Sequence, residues 1–267
     1  MEKIAVVTDT GSNLSFAQAK ELGIYLLPLQ ITIDETTYQD TLEISTQDIY
    51  NELANGKMPK TSMAAYQKIY DLFEELKKDY DTIFAVPLTN GLSTNASTMQ
   101  SIARELEMNV HVIDMYATCA LEKHVAIWIK KLVDEHKSSE EILKIIQPAI
   151  DESNSLILVK NLQHLKRGGR LTPMAAALAG LLKIYPVLHI NKSTEGRIDV
   201  LNKVRTEKRA DAYAIDKIMD DIDIQHTHIY IIHSNFLEGT DHFKKCFIEK
   251  GVPEQNIHID YISSVIA

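Results

Sequence analysis

Asp9-Thr10-Gly11-Ser12 matches the string that carries the catalytic aspartate of aspartic proteases. That chemistry needs two aspartates sharing one proton, hence a second copy of the string. The sequence has no second Asp-Thr/Ser-Gly, and the string runs into a helical pattern rather than into β-structure. It reads instead as a strand-to-helix turn, with Gly11 giving backbone freedom and Ser12 or Asn13 as the cap. One glycine is too few for a phosphate-binding loop. His226 and His228 are spaced to share a strand face and could hold a metal. No third ligand is legible, so they read as surface histidines. His111, His164, His189 and His233 have no partner that the sequence identifies.

Two hydroxyl pairs are more informative. Pro59-Lys60-Thr61-Ser62 precedes the helical pattern that contains Tyr66, and Asn90-Gly91-Leu92-Ser93-Thr94 links a strand pattern to the next helix. A helix start offers unpaired N–H groups and the positive end of the dipole, both favourable to an anion. If the two helices start at neighbouring strand ends, Thr61 and Ser93 converge on one small carboxylate. Alternatively they are plain N-caps. Arg167-Gly168-Gly169-Arg170 is a third unusual stretch. Its glycines allow a tight turn beside two guanidiniums, either as a solvent loop or against a carboxylate or phosphate.

The elements that must position these residues alternate. Ile4 to Thr8 reads as a strand, followed by a helix from about Ser15 that stops at Gly23. Ile24 to Ile33 reads as a strand pushed to an edge or bulge by Pro28. Ser45 to Asp48 forms a capping box for a helix ending near Gly56. Tyr66, Ile69, Tyr70, Phe73 and Leu76 keep helical spacing. Strands at Asp81 to Leu88 and Val110 to Asp114, then helices at about Ala117 to Glu135 and Ser139 to Ile150, complete the first half. This alternation predicts a parallel sheet covered by helices on both faces, with ligands beyond the carboxyl ends of the strands. The second half reads as strands at Leu156 to Lys160, Tyr185 to Ile190, Arg197 to Val204, His228 to His233 and Ile257 to Ile262. It is expected to be an α/β domain with a mixed sheet. The boundary falls at Asp151 to Asn154, giving domains 1–153 and 154–267.

Composition narrows the classes. With 267 residues and a formal net charge of −9, the chain has no charge balance favouring nucleic acid or an anionic membrane. The two cysteines, Cys119 and Cys246, form neither a disulfide framework nor a metal spacing. No signal peptide is read at Met1, and the most apolar segment, Met174 to Ile190, is broken by Lys183 and Pro186. A cytoplasmic protein without a membrane span is expected.

In order, Ile4 to Asp9, Pro59-Lys60-Thr61-Ser62, Gly91-Leu92-Ser93, Leu162 to Arg170, Lys183 to Leu188 and Lys203-Val204-Arg205-Thr206 resemble the DegV family across nearly the whole chain. The resemblance implies a two-domain fold: an N-terminal α/β/α parallel-sheet domain and a C-terminal α/β domain. It also implies a long-chain fatty acid held in a buried tunnel. Members act as the lipid-carrying, non-catalytic subunit of bacterial fatty acid kinase, whose separate ATP-binding subunit phosphorylates the presented carboxylate. That would place the chain in phospholipid metabolism. The family's carboxylate ligands fall on Thr61 and Ser93. Ser62, Thr94 and Arg170 are further head-group candidates, and Arg167 and Arg205 are candidates for docking the kinase subunit. No cofactor or metal is expected beyond the fatty acid. Three features depart from the family pattern. Met63-Ala64-Ala65 replaces Gln-Pro-Ser, Thr94-Asn95 replaces Gly-Thr, and the sequence ends at Ala267 before a Gly-Thr-His segment. The rival readings are a small-molecule hydrolase or transferase using the same cleft, and a degenerate member that binds another ligand.

Overall fold

The computed structural model describes residues 2–181, 183–220 and 222–266. Packing divides the chain into two compact units. The first is Met1–Ser153 joined by Asn191–Gly196 and Ser263–Ala267, and the second is Asn154–Ile190 with Arg197–Ile262.

The first unit runs β1 (Ile4–Asp9), α1 (Phe16–Leu22), β2 (Tyr25–Leu27), β3 (Gln30–Ile33), β4 (Thr36–Gln39), α2 (Thr46–Ala54), β5 (Lys60–Ser62), α3 (Tyr66–Leu76), β6 (Thr82–Val86), α4 (Asn95–Glu105), β7 (Asn109–Val112), α5 (Ala120–Asp134) and α6 (Ser139–Glu152). Local chemistry fixes several of these bounds. Ser15 caps α1 in a reciprocal capping box with Gln18, and Gly23 ends it at φ 68°. The same box, Ser45 with Asp48 and Ser138 with Glu141, opens α2 and α6.

A parallel four-stranded sheet in the order β2-β1-β6-β7 forms the centre of this unit. Every residue of β1 and β6 is buried, as strands covered on both faces require. Val6, Phe84 and Val86 pack against Val125, Ile129, Ile142 and Ile146 of α5 and α6. Burial of each such side chain stabilises by about 1.5–3 kcal/mol. The segment read as one strand from Ile24 to Ile33 is two. Proline lacks an N–H and cannot continue a ladder on both sides. At Pro28 the chain therefore leaves the parallel sheet, where β2 pairs with β1, and β3 enters a separate antiparallel sheet in the order β4-β3-β5.

The second unit contains β8 (Asn154–Leu158), α7 (Leu162–Arg167), α8 (Pro173–Leu178), β9 (Tyr185–Asn191), β10 (Asp199–Val204), α9 (Glu207–Asp220), β11 (Ile229–His233), α10 (Leu237–Glu249) and β12 (Ile257–Tyr261). Its strands mix antiparallel and parallel pairs, as expected of an α/β unit of this type. They are divided between two sheets, β10-β9-β8 and a parallel β11-β12 pair. No helix among the described residues is long and apolar enough to cross a membrane.

Candidate functional site

Neighbouring strands β1 and β6 end together, with Thr8 opposite Val86. Asp9, the last residue of β1, is fully buried and gathers three donors. Oδ1 accepts from the Gly11 amide at 2.8 Å, and Oδ2 accepts from the Leu88 amide at 2.9 Å and from Asn95 Nδ2 at 2.6 Å. Burial still pushes this carboxyl up, against the downward pull of those bonds. Residues Thr10–Ser12 form a short 3₁₀ turn, capped by Asp9 itself. Gly11 is needed here for space. A Cβ on it would lie 2.8 Å from Asp9 Oδ1 and 3.2 Å from Glu122 Oε2.

Glu122, in the first turn of α5, is the second buried carboxyl. Burial and the neighbouring Asp9 charge hold it well above the usual carboxylate range. Thr8 Oγ1 donates to the Val86 carbonyl at 2.7 Å and faces Glu122 Oε1 as a donor at 3.3 Å, a contact that pulls the Glu122 carboxyl down against the effect of burial. Cys119 leads into α5 with φ 55°, an uncommon left-handed value for a residue with a side chain, while its amide donates to the Gly11 carbonyl at 3.0 Å. This bond ties the start of α5 to the turn after β1.

The loop from β6 carries Ser93 to the start of α4. Ser93 is half-buried, and its Oγ accepts from the Asn95 amide at 3.2 Å. Its hydroxyl hydrogen remains available to a ligand. Thr61 lies on β5, opposite Ile31, rather than at a helix start. Helix α3 begins only at Tyr66, after Ala65, so the helix-dipole argument does not apply to Thr61. The Thr61 hydroxyl makes no hydrogen bond with any described residue. Ser62 and Thr94 are exposed and engaged elsewhere, with Ser62 Oγ donating to Gln30 Oε1 and Thr94 Oγ1 to Met63 Sδ, both at 3.3 Å. Thr98 Oγ1 also donates to Met63 Sδ at 3.3 Å. One methionine thus draws the β5–α3 connection onto the first turns of α4, which brings the neighbourhoods of Thr61 and Ser93 together.

Arg167, Arg170 and Arg205 belong to the second unit. Arg167 ends α7 and Arg205 follows β10, both exposed. Arg170 is half-buried and turns its guanidinium back onto the Gly168 carbonyl of its own loop. Of the two glycines only Gly169 has a positive φ, 74°. His228 is partnered by His258, with Nδ1 and Nε2 2.8 Å apart, and His226 by Asp223. The two histidines read as a pair from their spacing therefore have different partners.

The arrangement offers two hydroxyl hydrogens to an acceptor and a rigid buried network behind one of them. No titratable side chain hydrogen-bonds either hydroxyl among the described residues. Sequence reasoning missed Asn95 and Glu122. Glu122 did leave a signal, because it shares the helical stripe of Val125, Ala126 and Ile129.

The fold and site define an α/β protein of two units, with the hydroxyl site on the parallel-sheet unit. The chain belongs to the DegV family: a family model described as uncharacterised protein, DegV family, matches residues 3–267. A DegV domain-containing protein of Caldanaerobacter subterraneus subsp. tengcongensis is 32% identical over 240 residues, 88% of this chain and 84% of that protein. Two solved structures are also similar. One is a fatty acid binding DegV family protein from Streptococcus agalactiae, with a TM-score of 0.91 and 28% identity over 100% of this chain and 94% of that one. The other is DegV, a fatty acid binding protein from Bacillus subtilis, with a TM-score of 0.86 and 26% identity over the same shares.

Proposed function

We propose that the protein binds a long-chain fatty acid and presents its carboxylate to a separate ATP-binding kinase subunit for acyl-phosphate formation, itself performing no chemistry. The observation that carries the reading is the pair of hydroxyls, Thr61 without a partner among the described residues and Ser93 with its hydrogen uncommitted. The fatty acid binding relatives from Streptococcus agalactiae and Bacillus subtilis support it, since they match essentially the whole chain. In this reading the tail lies in an apolar tunnel and supplies most of the affinity. Roughly 14 methylenes at about 0.8 kcal/mol each give on the order of 11 kcal/mol before ordering costs. Hydrogen bonds to the charged head group add about 1.5–3 kcal/mol each. In the same reading Arg170 approaches the head group, Arg167 and Arg205 serve docking, and the protein works in the cytoplasm.

Denaturing extraction followed by mass spectrometry tests the binding. A stoichiometric fatty acid is expected, and it should persist in a Thr61→Ala, Ser93→Ala double variant that is nevertheless impaired in acyl-phosphate formation beside a kinase subunit. An empty protein that also takes up no added fatty acid rejects the reading.

A further inference from the structure

We infer that Asn95, clamped by Asp9, is the positioning residue that aims the Ser93 hydroxyl at the ligand carboxylate; this rests on the fatty-acid reading above. Helix α4 lacks the usual restraint at its start. Thr94 stands at the cap position but makes no side-chain cap bond, and its hydroxyl goes to Met63. The first turn is held by two asparagines instead. Asn90 Oδ1 accepts from the Ser97 amide at 3.2 Å, and Asn95 Nδ2 reaches back to Asp9 Oδ2 at 2.6 Å. Asp9 is itself pinned by amides from the turns after β1 and β6. The Asn95 backbone N–H, fixed in this way, occupies one lone pair of Ser93 Oγ. A hydroxyl that accepts on one side is left to donate on the other, which is the role a carboxylate needs.

Stability alone does not account for the amide. Asn95 is fully buried, and its Oδ1 has no hydrogen-bond partner. A buried acceptor left unpaired is a penalty that an apolar residue of the same size would avoid. What leucine would lose is the tie to Asp9, and with it the orientation of the N–H that holds Ser93.

The test loads the full chain with palmitate labelled with ¹³C at the carboxyl carbon and follows that resonance through a pH titration. Removing Ser93 by Ser93→Ala should raise the head group's titration midpoint by about one to two pH units, the equivalent of one lost charge-assisted hydrogen bond. Asn95→Leu should raise it similarly, and the double variant should add little to either single change. Asn95→Thr, which keeps a donor for Asp9, should restore the midpoint. An Asn95→Leu protein with a wild-type midpoint overturns the inference, as does full additivity in the double variant, even if the melting temperature changes. Should the leucine variant not fold, the wild-type Asn95 amide resonance decides. It should move when delipidated protein is loaded with palmitate, and a stationary resonance rejects the positioning role. If the wild-type protein takes up no palmitate at all, the fatty-acid reading fails and takes this inference with it.

Discussion

Burial holds the Glu122 carboxyl well above its ordinary value, and this gives the protein a pH dependence of definite sign. Its ordinary value is 4.5, and burial with the Asp9 charge raises it well above that. The folded state therefore binds more protons than the unfolded state over the interval between the two values. The stabilising contribution is complete below about pH 4.5 and is lost as pH rises through the folded value. The slope is about −1.4 kcal/mol per pH unit for one proton. A glutamine in place of this residue would keep the size and an oxygen acceptor for Thr8 without the titration. Urea denaturation of the Glu122→Gln variant between mildly acidic and alkaline pH should thus show a flatter stability profile and a higher midpoint on the alkaline side. The raised values of Asp9 and Asp40 leave some slope behind. Parallel profiles for variant and parent would mean that Glu122 is not the proton's holder.

At the scale of elements, the turn after β1 has no room for a side chain at Gly11, because both carboxyls approach its Cα hydrogen. Gly11→Ala should destabilise by about 1–3 kcal/mol, as overpacking of a filled interior does. Gly180→Ala is the control, since nothing lies within 4 Å of its Cβ position and its φ is not positive. Chemical denaturation that finds the two substitutions equally mild would refute the close approach. What the sequence made legible follows the same division. Helices announced themselves where cap and stripe are local: the box at Ser45, the spacing of Tyr66 through Leu76, and the stop at Gly23. Long-range partners did not. The Asn95–Asp9 bond spans 86 positions and the Thr8–Glu122 contact 114, and no periodicity encodes such pairings. Thr61 was read at a helix start rather than on β5 because a three-residue strand carries too little pattern to be separated from a helix lead-in. Ser93 was placed correctly at a helix start because a strand, a polar loop and a helix follow one another there without interruption.

For the whole molecule, the chain passes between the two units four times, after Ser153, Ile190, Gly196 and Ile262. The returning pieces bind groups of the first unit, at its surface and in its interior. Lys192 Nζ pairs with Asp151 at 2.5 Å, and Gly196 lies so near the Thr89 side chain that no Cβ fits. Ser263 Oγ donates to the Thr10 carbonyl at 2.7 Å, and Ser264 Oγ to Asp40 Oδ1 at 2.5 Å. Asp40 is fully buried, and its other oxygen has no partner among the described residues. A fragment ending at Ser153 would expose the surface these pieces cover and leave the Asp40 carboxyl without Ser264. It should melt without a cooperative transition and bind hydrophobic dyes, while the full chain melts sharply. A sharp, reversible melt of the fragment would contradict this. The same interleaving bears on biosynthesis. Domains of a growing chain generally fold as they emerge, the N-terminal one first. Here the unit that is made first is completed last, because the donors for Asp40 and the Thr10 carbonyl are supplied by Ser264 and Ser263. Emergence of those two serines from the ribosome, rather than of the parallel sheet, becomes the event that closes the first unit.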